Sequence, residues 1–452
     1  MKRYGIVLGA GMGTRMKSEV PKVLHQVMGK AMIEHIVDTL EKIDVEKIAV
    51  VTGHKAEMVE SCLGKRAEYA LQTEQLGTAH AVLMAEDILA NLDGTTVVIY
   101  GDGPLLTDET LSQLFSQHEE SGSKLTMLTG ITDDPFGLGR IIRKADGSVE
   151  KIVEQKDATP EELLITEINP GVACYDNRIL FEALKKVGNE NAQGEYYLTD
   201  LVEIIIEMGY KVEAVIAEDF EETLAVNDRV QLANITKIMR TRINKKHMEN
   251  GVTLIDPDTT YIEGDVVIGS DVIIEPNVYL KGHTIVETGA IIGAGSQLTN
   301  ATVGAGTHVQ VSYISNSKVG ANATVGPFAH IREGALVGDK TRIGNFVEIK
   351  KSTLEDGVKA GHLAYMGDAE IGARTNVSCG VITANYDGKS KFKTIVGADV
   401  MIGSNVNLVA PVEVGAGAYI AAGSTVTKDV PADALAIARS KQENKADYAK
   451  KL

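Results

Sequence analysis

Three places in this 452-residue sequence gather side chains that act on phosphates, divalent ions or protons. The first is Gly9-Ala-Gly-Met-Gly-Thr-Arg-Met-Lys-Ser18, followed by Pro21-Lys22, directly after the apolar run Tyr4 to Leu8. Glycines after a strand let backbone approach phosphate oxygens closely, and Arg15 and Lys22 supply charge to neutralise them. No GK[ST] closes this loop, so it is not a Walker A loop, and its spacing is not the dinucleotide GxGxxG. The residues fit a triphosphate cradle. The second place is Tyr100-Gly101-Asp102, which ends another apolar run. A hard, oxygen-binding Mg²⁺ shared with substrate phosphates needs only one or two protein ligands, so Asp102 suffices in kind. The third is Lys359-Ala-Gly-His-Leu-Ala-Tyr-Met-Gly-Asp368, with Asn385-Tyr-Asp-Gly-Lys-Ser-Lys-Phe-Lys393 close behind. His362 is the sole histidine between His330 and the C-terminus. An imidazole with an unperturbed pKa of about 6.5 is suited to removing a proton at neutral pH, although a lone histidine is more often structural.

Two kinds of element must position these groups. Residues 1 to about 228 alternate strands (Tyr4 to Leu8, Ile48 to Thr52, Thr96 to Tyr100, Lys124 to Leu128) with helical patterns (Met32 to Ile43, Thr78 to Leu92, Glu109 to Glu120). That βαβ order predicts an α/β domain, Rossmann-like, with a mostly parallel sheet covered on both faces. Ligands on such sheets bind beyond the carboxyl ends of the strands, where Gly9 and Asp102 fall. From Ile262 to Val426 an aliphatic residue recurs every six: Ile262, Ile268, Ile274, Leu280, Val286, Ile292 and Leu298, then Val319 to Ile349, then Val396 to Val426. A period of six fits neither helix nor lone strand and predicts a parallel β-helix of hexapeptide repeats. One hexad buries little, so the coils must stack. The period breaks at about Thr299–Lys318, Ser352–Glu370 and Ser378–Ile395, which the solenoid reading assigns to loops. Between the domains, Leu232, Ile235, Ile238, Met239, Ile243 and His247 recur at helical spacing until Gly251, a connecting arm with His247 as a packing residue. The expected domains are 1–228, a linker at 229–250, and 251–452.

A net charge of −17 argues against a nucleic-acid partner without forbidding local cationic pockets. The three cysteines, Cys62, Cys174 and Cys379, lie far apart with no CxxC, which favours a reducing, cytoplasmic setting. No run approaches 18 apolar residues, so no membrane span is expected.

Leu8-Gly-Ala-Gly-Met-Gly-Thr-Arg-Met16 with Pro21-Lys22 resembles the signature loop of sugar-nucleotide pyrophosphorylases. With a hexapeptide solenoid behind it, the chain resembles, nearly end to end, the bacterial family of bifunctional N-acetylglucosamine-1-phosphate uridyltransferase/glucosamine-1-phosphate N-acetyltransferases. The resemblance implies that Leu8, Gly11, Lys22, Gln72, Gly77, Thr78, Tyr100, Gly101, Gly139, Glu154, Asn169, Thr199 and Asn227 bind UDP-N-acetylglucosamine. Asp102 and Asn227 would hold Mg²⁺, and Arg15 and Lys22 would be catalytic. Gln72 and its neighbours, to His80, resemble the uracil-reading stretch; the bland alternative is a turn with Thr78 capping a helix. The implied reaction needs no protein nucleophile or general base, because the attacking sugar phosphate is already anionic. Alignment and charge neutralisation are enough. The family pattern differs at Met12, Gly103, Leu138, Pro170 and Ser378 to Val381.

By the same resemblance His362 is the base for acetyl transfer, and Arg332, Lys350, Tyr365, Asn376 and Lys391 hold glucosamine-1-phosphate. Asn385, Tyr386, Cys379, Ser404, Ala422 and Arg439 would bind acetyl-CoA. The family solenoid is left-handed and assembles as a homotrimer that shares this pocket between neighbours, and the charged tail, residues 434–452, would close over it. UTP and acetyl-CoA are the implied co-substrates. Two other readings stay open: a single-activity sugar-nucleotide pyrophosphorylase, and a non-catalytic assembly subunit built from the same modules.

Overall fold

Strand Arg3–Leu8 turns alternate side chains to opposite sides: Ile6 and Leu8 join one buried apolar cluster, Val7 the other. A strand buried on both faces is what a parallel sheet between helices requires. In the computed structural model, which describes residues 1–452, this strand runs parallel to Lys47–Thr52 and to Thr95–Tyr100, and Glu68–Leu71 extends the parallel side. Leu8 is in register with Val51 and Tyr100, so the loops beginning at Gly9, Gly53 and Gly101 leave the same edge.

The rest of the sheet is mixed. Ala173–Asp176 runs antiparallel to Thr95–Tyr100 and Leu125–Ile131, and Glu167–Asn169, Gly139–Arg143 and Val149–Val153 continue antiparallel. Val212–Ile216 returns parallel to Leu125–Ile131. Helices Met32–Lys42 and Asp108–Ser121 fall where the periodicity puts them. The helix expected over Thr78 to Leu92 is two short pieces, Thr78–Leu83 and Glu86–Leu89. Ala85 between them has ψ near 3°, and its N–H bonds to Val82, three residues back, which tightens the ladder into a 3₁₀ turn.

The chain divides into two compact units, Met1–Met239 and Arg240–Leu452, with the boundary inside the helix Arg229–Glu249. In the second unit the helix end sits on the first coil. Asn244 Nδ2 donates to Pro257 O at 2.8 Å and Thr260 O at 3.0 Å, and the Arg240 guanidinium lies 5.0 Å from the Tyr261 ring centre. Gly251, at φ +89°, stops the helix, because residues with a Cβ disfavour that conformation.

Beyond it, parallel strands, most of two or three residues, stack in register with their aliphatic residues in one continuous core, in hexapeptide repeats consistent with a left-handed β-helix. Leu280 pairs with Leu298, eighteen residues on. The first period break is not a loop. Leu298 pairs with Ile314, sixteen residues on, and Ile314 with Ile331, so shortened corners change the phase while the ladder continues. The second break likewise holds the long strand Lys359–Gly367. Only the third contains an excursion: Ile371 pairs with Val396, twenty-five residues on, and the extra length is spent after Ala384.

Candidate functional sites

Gly13 sits at φ +59°, and a Cβ there would stand 2.7 Å from Lys22 Cβ. Glycine therefore lets the loop fold back onto Lys22. Lys22 Nζ makes an ion pair with Asp102 Oδ2 and donates to Asn227 Oδ1 at 3.2 Å, while Arg15 Nη2 donates to the same oxygen at 2.9 Å. Arg15 and Lys22 from one loop, Asp102 from another and Asn227 from a third stretch thus form one cluster. Asp102 is 7% exposed, and its Oδ1 is buried without a hydrogen-bond partner. The strand end fixes its backbone: Gly101 N donates to Leu8 O and Val226 N to Asp102 O, both at 2.9 Å.

An open cavity of about 240 Å³ beside this cluster is lined by Leu8, Gly11, Lys22, Gln72, Gly77, Thr78, Tyr100 and Asp102, together with Gln75 and Glu195. Gln72 is held in place by donating to Gly77 O at 3.2 Å. Thr78 does not cap its helix. The N-cap residue is Gly77, with no side-chain bond, and Thr78 Oγ1 accepts from Leu198 N at 2.9 Å. That contact ties the predicted base-reading turn to the segment carrying Thr199.

A second, narrower cavity shares Tyr100 and is lined by Asn169 and Thr199. Gly171, at φ +82°, admits the Tyr100 ring, which any Cβ would overlap. Thr199 Oγ1 donates to Glu154 Oε1 at 3.1 Å, and Gly139 lies in register with Asn169, its would-be Cβ 3.7 Å from both Glu154 oxygens. Burial raises the Glu154 carboxyl above its ordinary pKa. Asp200 beside it is pushed up to about 6 by burial, with Glu203, Glu154 and Asp157 adding to the shift. All the residues implied for the nucleotide sugar except Gly139 border these two cavities or bond to a residue that does, and Gly139 is the register partner of Asn169.

In the solenoid, His362 and Asn345 occupy the same register position on consecutive coils, with His362 Nδ1 3.1 Å from Asn345 Oδ1. Sequence reasoning missed Asn345; counting one coil back from His362 would have found it. Arg332 Nη1 donates to Glu348 at 2.6 Å, and Lys350 Nζ stands 3.3 Å from Glu333. Tyr365 is the register partner of Glu348, so Arg332, Lys350 and Tyr365 share a face. Asn376 does not join them. It pairs with Lys359, before the corner at Phe346 and Leu363, whereas Lys350 and Tyr365 come after that corner.

The excursion carries three further predicted residues. Asn385 is buried, with Nδ2 donating to Asp368 Oδ2 at 2.5 Å, while Tyr386 and Lys391 pair as an antiparallel bridge and are exposed. Cys379, Ser404, Ala422 and Arg439 fall on successive coils at one corner. Asn405 N donates to Cys379 O and Gly423 N to Ser404 O, both at 2.8 Å, and a Cβ on Gly423 would stand 3.8 Å from Arg439 Cδ. All four are exposed, a strip of three small residues ending at the Arg439 side chain. In the tail, Leu435 and Ala436 pair with Tyr419 and Ile420 on the last coil, and residues 437–452 are all exposed.

Residues 4–232 match the nucleotidyl transferase family. Residues 265–300, 316–351 and 393–428 match the bacterial transferase hexapeptide (six repeats) family, which leaves out the stretches where coils shorten or the excursion inserts. Over its full length the chain is similar to proteins named Bifunctional protein GlmU. It is 54% identical to that of an Exiguobacterium species over 451 residues, all of both chains. It is 53% identical to that of Listeria welshimeri over 451 residues, covering 100% of this chain and 99% of the relative. It is 51% identical to that of Shouchella clausii over 449 residues, 99% of each. With both modules matched in order and half its residues shared from end to end, the chain belongs to the bifunctional GlmU family.

Proposed function

We propose that the chain makes UDP-N-acetylglucosamine by two transfers. Residues 251–452 N-acetylate glucosamine-1-phosphate from acetyl-CoA. Residues 1–228 then transfer uridylyl from UTP to the N-acetylated product and release pyrophosphate, with 229–250 as connector. What carries the reading is that one chain holds two separately built sites, a cationic, oxygen-lined cluster at Asp102 and an imidazole oriented by an amide at His362.

At the first site the buried, unpartnered Asp102 Oδ1 and the nearby Asn227 Oδ1 are hard oxygen donors that fit Mg²⁺. When bound there, the ion would draw charge from the phosphates and align them. Arg15 and Lys22 supply fixed positive charge where the α-phosphate becomes more negative. Gln72 and Gly77 face the base. Gly139, Glu154, Asn169 and Thr199 face the sugar and ribose, with Gly139 leaving room beside the Glu154 carboxylate.

At the second site His362 Nε2 takes the proton from the amine as it attacks the thioester carbonyl. Arg332, Lys350 and Lys391 grip the phosphate, with the first two exchanging Glu348 and Glu333 for it. Asn385 and Tyr386 meet the thioester, and the corner strip of Cys379, Ser404, Ala422 and Arg439 takes the rest of acetyl-CoA. The separation of Asn376 from Arg332 and Lys350 supports a homotrimer in which a neighbour completes the pocket. No helix is long and apolar enough to cross a membrane, and the three cysteines are free, which supports a cytoplasmic setting.

The test uses the purified full chain with glucosamine-1-phosphate, acetyl-CoA, UTP and Mg²⁺. Free CoA thiol and pyrophosphate should both appear, the second depending on the first. Absence of both would overturn the reading.

A further inference from the structure

Tyr365 and Asn385 converge on a backbone step that has no part in the reading above, Gly367-Asp368. A methyl at Gly367 would overlap Tyr365 Oη and stand 2.9 Å from Asn385 Nδ2, so the bare backbone provides the space in which the phenol and the amide approach each other. The next residue holds the amide: Asp368 Oδ2 accepts from Asn385 Nδ2 at 2.5 Å. A bond from an amide to an ionised carboxylate is charge-assisted and orients more firmly than a neutral one. Asn385 is 8% exposed, which makes this bond costly to lose.

The step is also a corner of the solenoid. Asp368 has φ +50°, the left-handed conformation that Lys351 adopts at the same place one coil earlier. Neighbouring coils fix it from both sides. Asp368 N donates to Lys350 O and Thr394 N to Asp368 O, each at 3.1 Å, and Gly367 N donates to Thr383 Oγ1 at 2.8 Å from a hydroxyl that is itself buried. The backbone bond to Lys350 also ties the step to a residue placed on the phosphate.

We infer that Gly367-Asp368 is a positioning element for acetyl transfer: the glycine admits Tyr365 and Asn385 side by side, and the Asp368 carboxylate sets the plane of the Asn385 amide that meets the thioester. This rests on the acetyltransferase reading. Neither residue touches substrate, and each acts through a side chain that does. A misplacement of about 1 Å at such a group is enough to cost on the order of 10²-fold in rate.

Three variants of the full chain test it, with uridylyl transfer by the same preparation as the activity control and denaturant unfolding of the second unit as the folding control. Asp368→Gly removes the acceptor and relaxes the backbone; it should lower the acetyl-transfer kcat at least about tenfold and leave the KM for glucosamine-1-phosphate within about twofold. Asp368→Asn keeps an acceptor oxygen and tolerates positive φ, and should restore most of that kcat. Gly367→Ala displaces the phenol and should raise the KM for glucosamine-1-phosphate about tenfold. Wild-type kcat in Asp368→Gly would overturn the inference, as would an Asp368→Asn variant as impaired as Asp368→Gly, or equal losses of both activities. A wild-type protein that transfers no acetyl group would sink the underlying functional reading instead.

Discussion

Asn345 and His362 meet across one turn of the solenoid, amide Oδ1 to imidazole Nδ1, at 3.1 Å. A carbonyl oxygen only accepts, so in this contact Nδ1 is the donor and Nε2 is the ring nitrogen left free. Replacing His362 with Ala should slow acetyl transfer by about 10² to 10⁴, measured as CoA thiol released under saturating substrates. Asn345→Ala frees the tautomer and should cost less than His362→Ala, mostly in kcat. A His362→Ala enzyme at the wild-type rate would remove the imidazole from the mechanism.

The nucleotide cluster makes a separate prediction. Arg15 and Lys22 both bond to Asn227 Oδ1, and Lys22 also pairs with Asp102. Arg15→Ala should lower uridylyl transfer by about 10² to 10³, read as pyrophosphate release, with acetyl transfer unchanged. A chelator in excess over Mg²⁺ should abolish pyrophosphate release and spare CoA release. Inhibition of both by chelation would mean that the ion serves something other than the Asp102 site.

Asp200 predicts a pH-dependent stability. Its carboxyl is raised from 3.8 to about 6 in the fold, first by burial and then by Glu203, Glu154 and Asp157. The folded state therefore holds this proton more tightly than the unfolded one, and stability is lost as pH rises from about 4 through about 6. Asp200→Asn removes the charge. It should raise the melting temperature at pH 8 and give little difference at pH 4. An equal gain at both pH values would assign the effect to packing.

Ile314 tests the solenoid where its period slips. It is 1% exposed and pairs with Leu298 below and Ile331 above. Ile314→Ala should destabilise the second unit by about 2–5 kcal/mol, seen in denaturant unfolding followed alongside acetyl transfer. A loss of a few tenths would fit a surface loop at this position.

That slip shows what the primary structure reveals here and what it hides. A hexad position such as Leu280 is legible because its neighbours along the core axis are aliphatic at a constant interval. The phase change after Leu298 suggests a loop, yet three-residue strands pair equally well when a corner sheds a residue or two. The Gly-rich loop and Asp102 can be read because both follow apolar strands that end on one edge. The partners that tune the sites are harder to see. Asn345 and Glu348 become visible only once the coil length is known, and Leu198, whose N–H occupies the Thr78 hydroxyl, lies 120 residues away. Asn376 shows the same limit from the other side, since spacing alone does not tell which face of a prism a residue joins.

Two chemistries in one polypeptide should be separable by single substitutions. Both rates should be measured on Asp102→Ala and His362→Ala in parallel, with glucosamine-1-phosphate and acetyl-CoA for one assay and N-acetylglucosamine-1-phosphate, UTP and Mg²⁺ for the other. The prediction is a crossed pattern: Asp102→Ala loses pyrophosphate release and acetylates normally, while His362→Ala does the reverse. Loss of acetyl transfer on changing Asp102, with uridylyl transfer preserved, would contradict the assignment of either site.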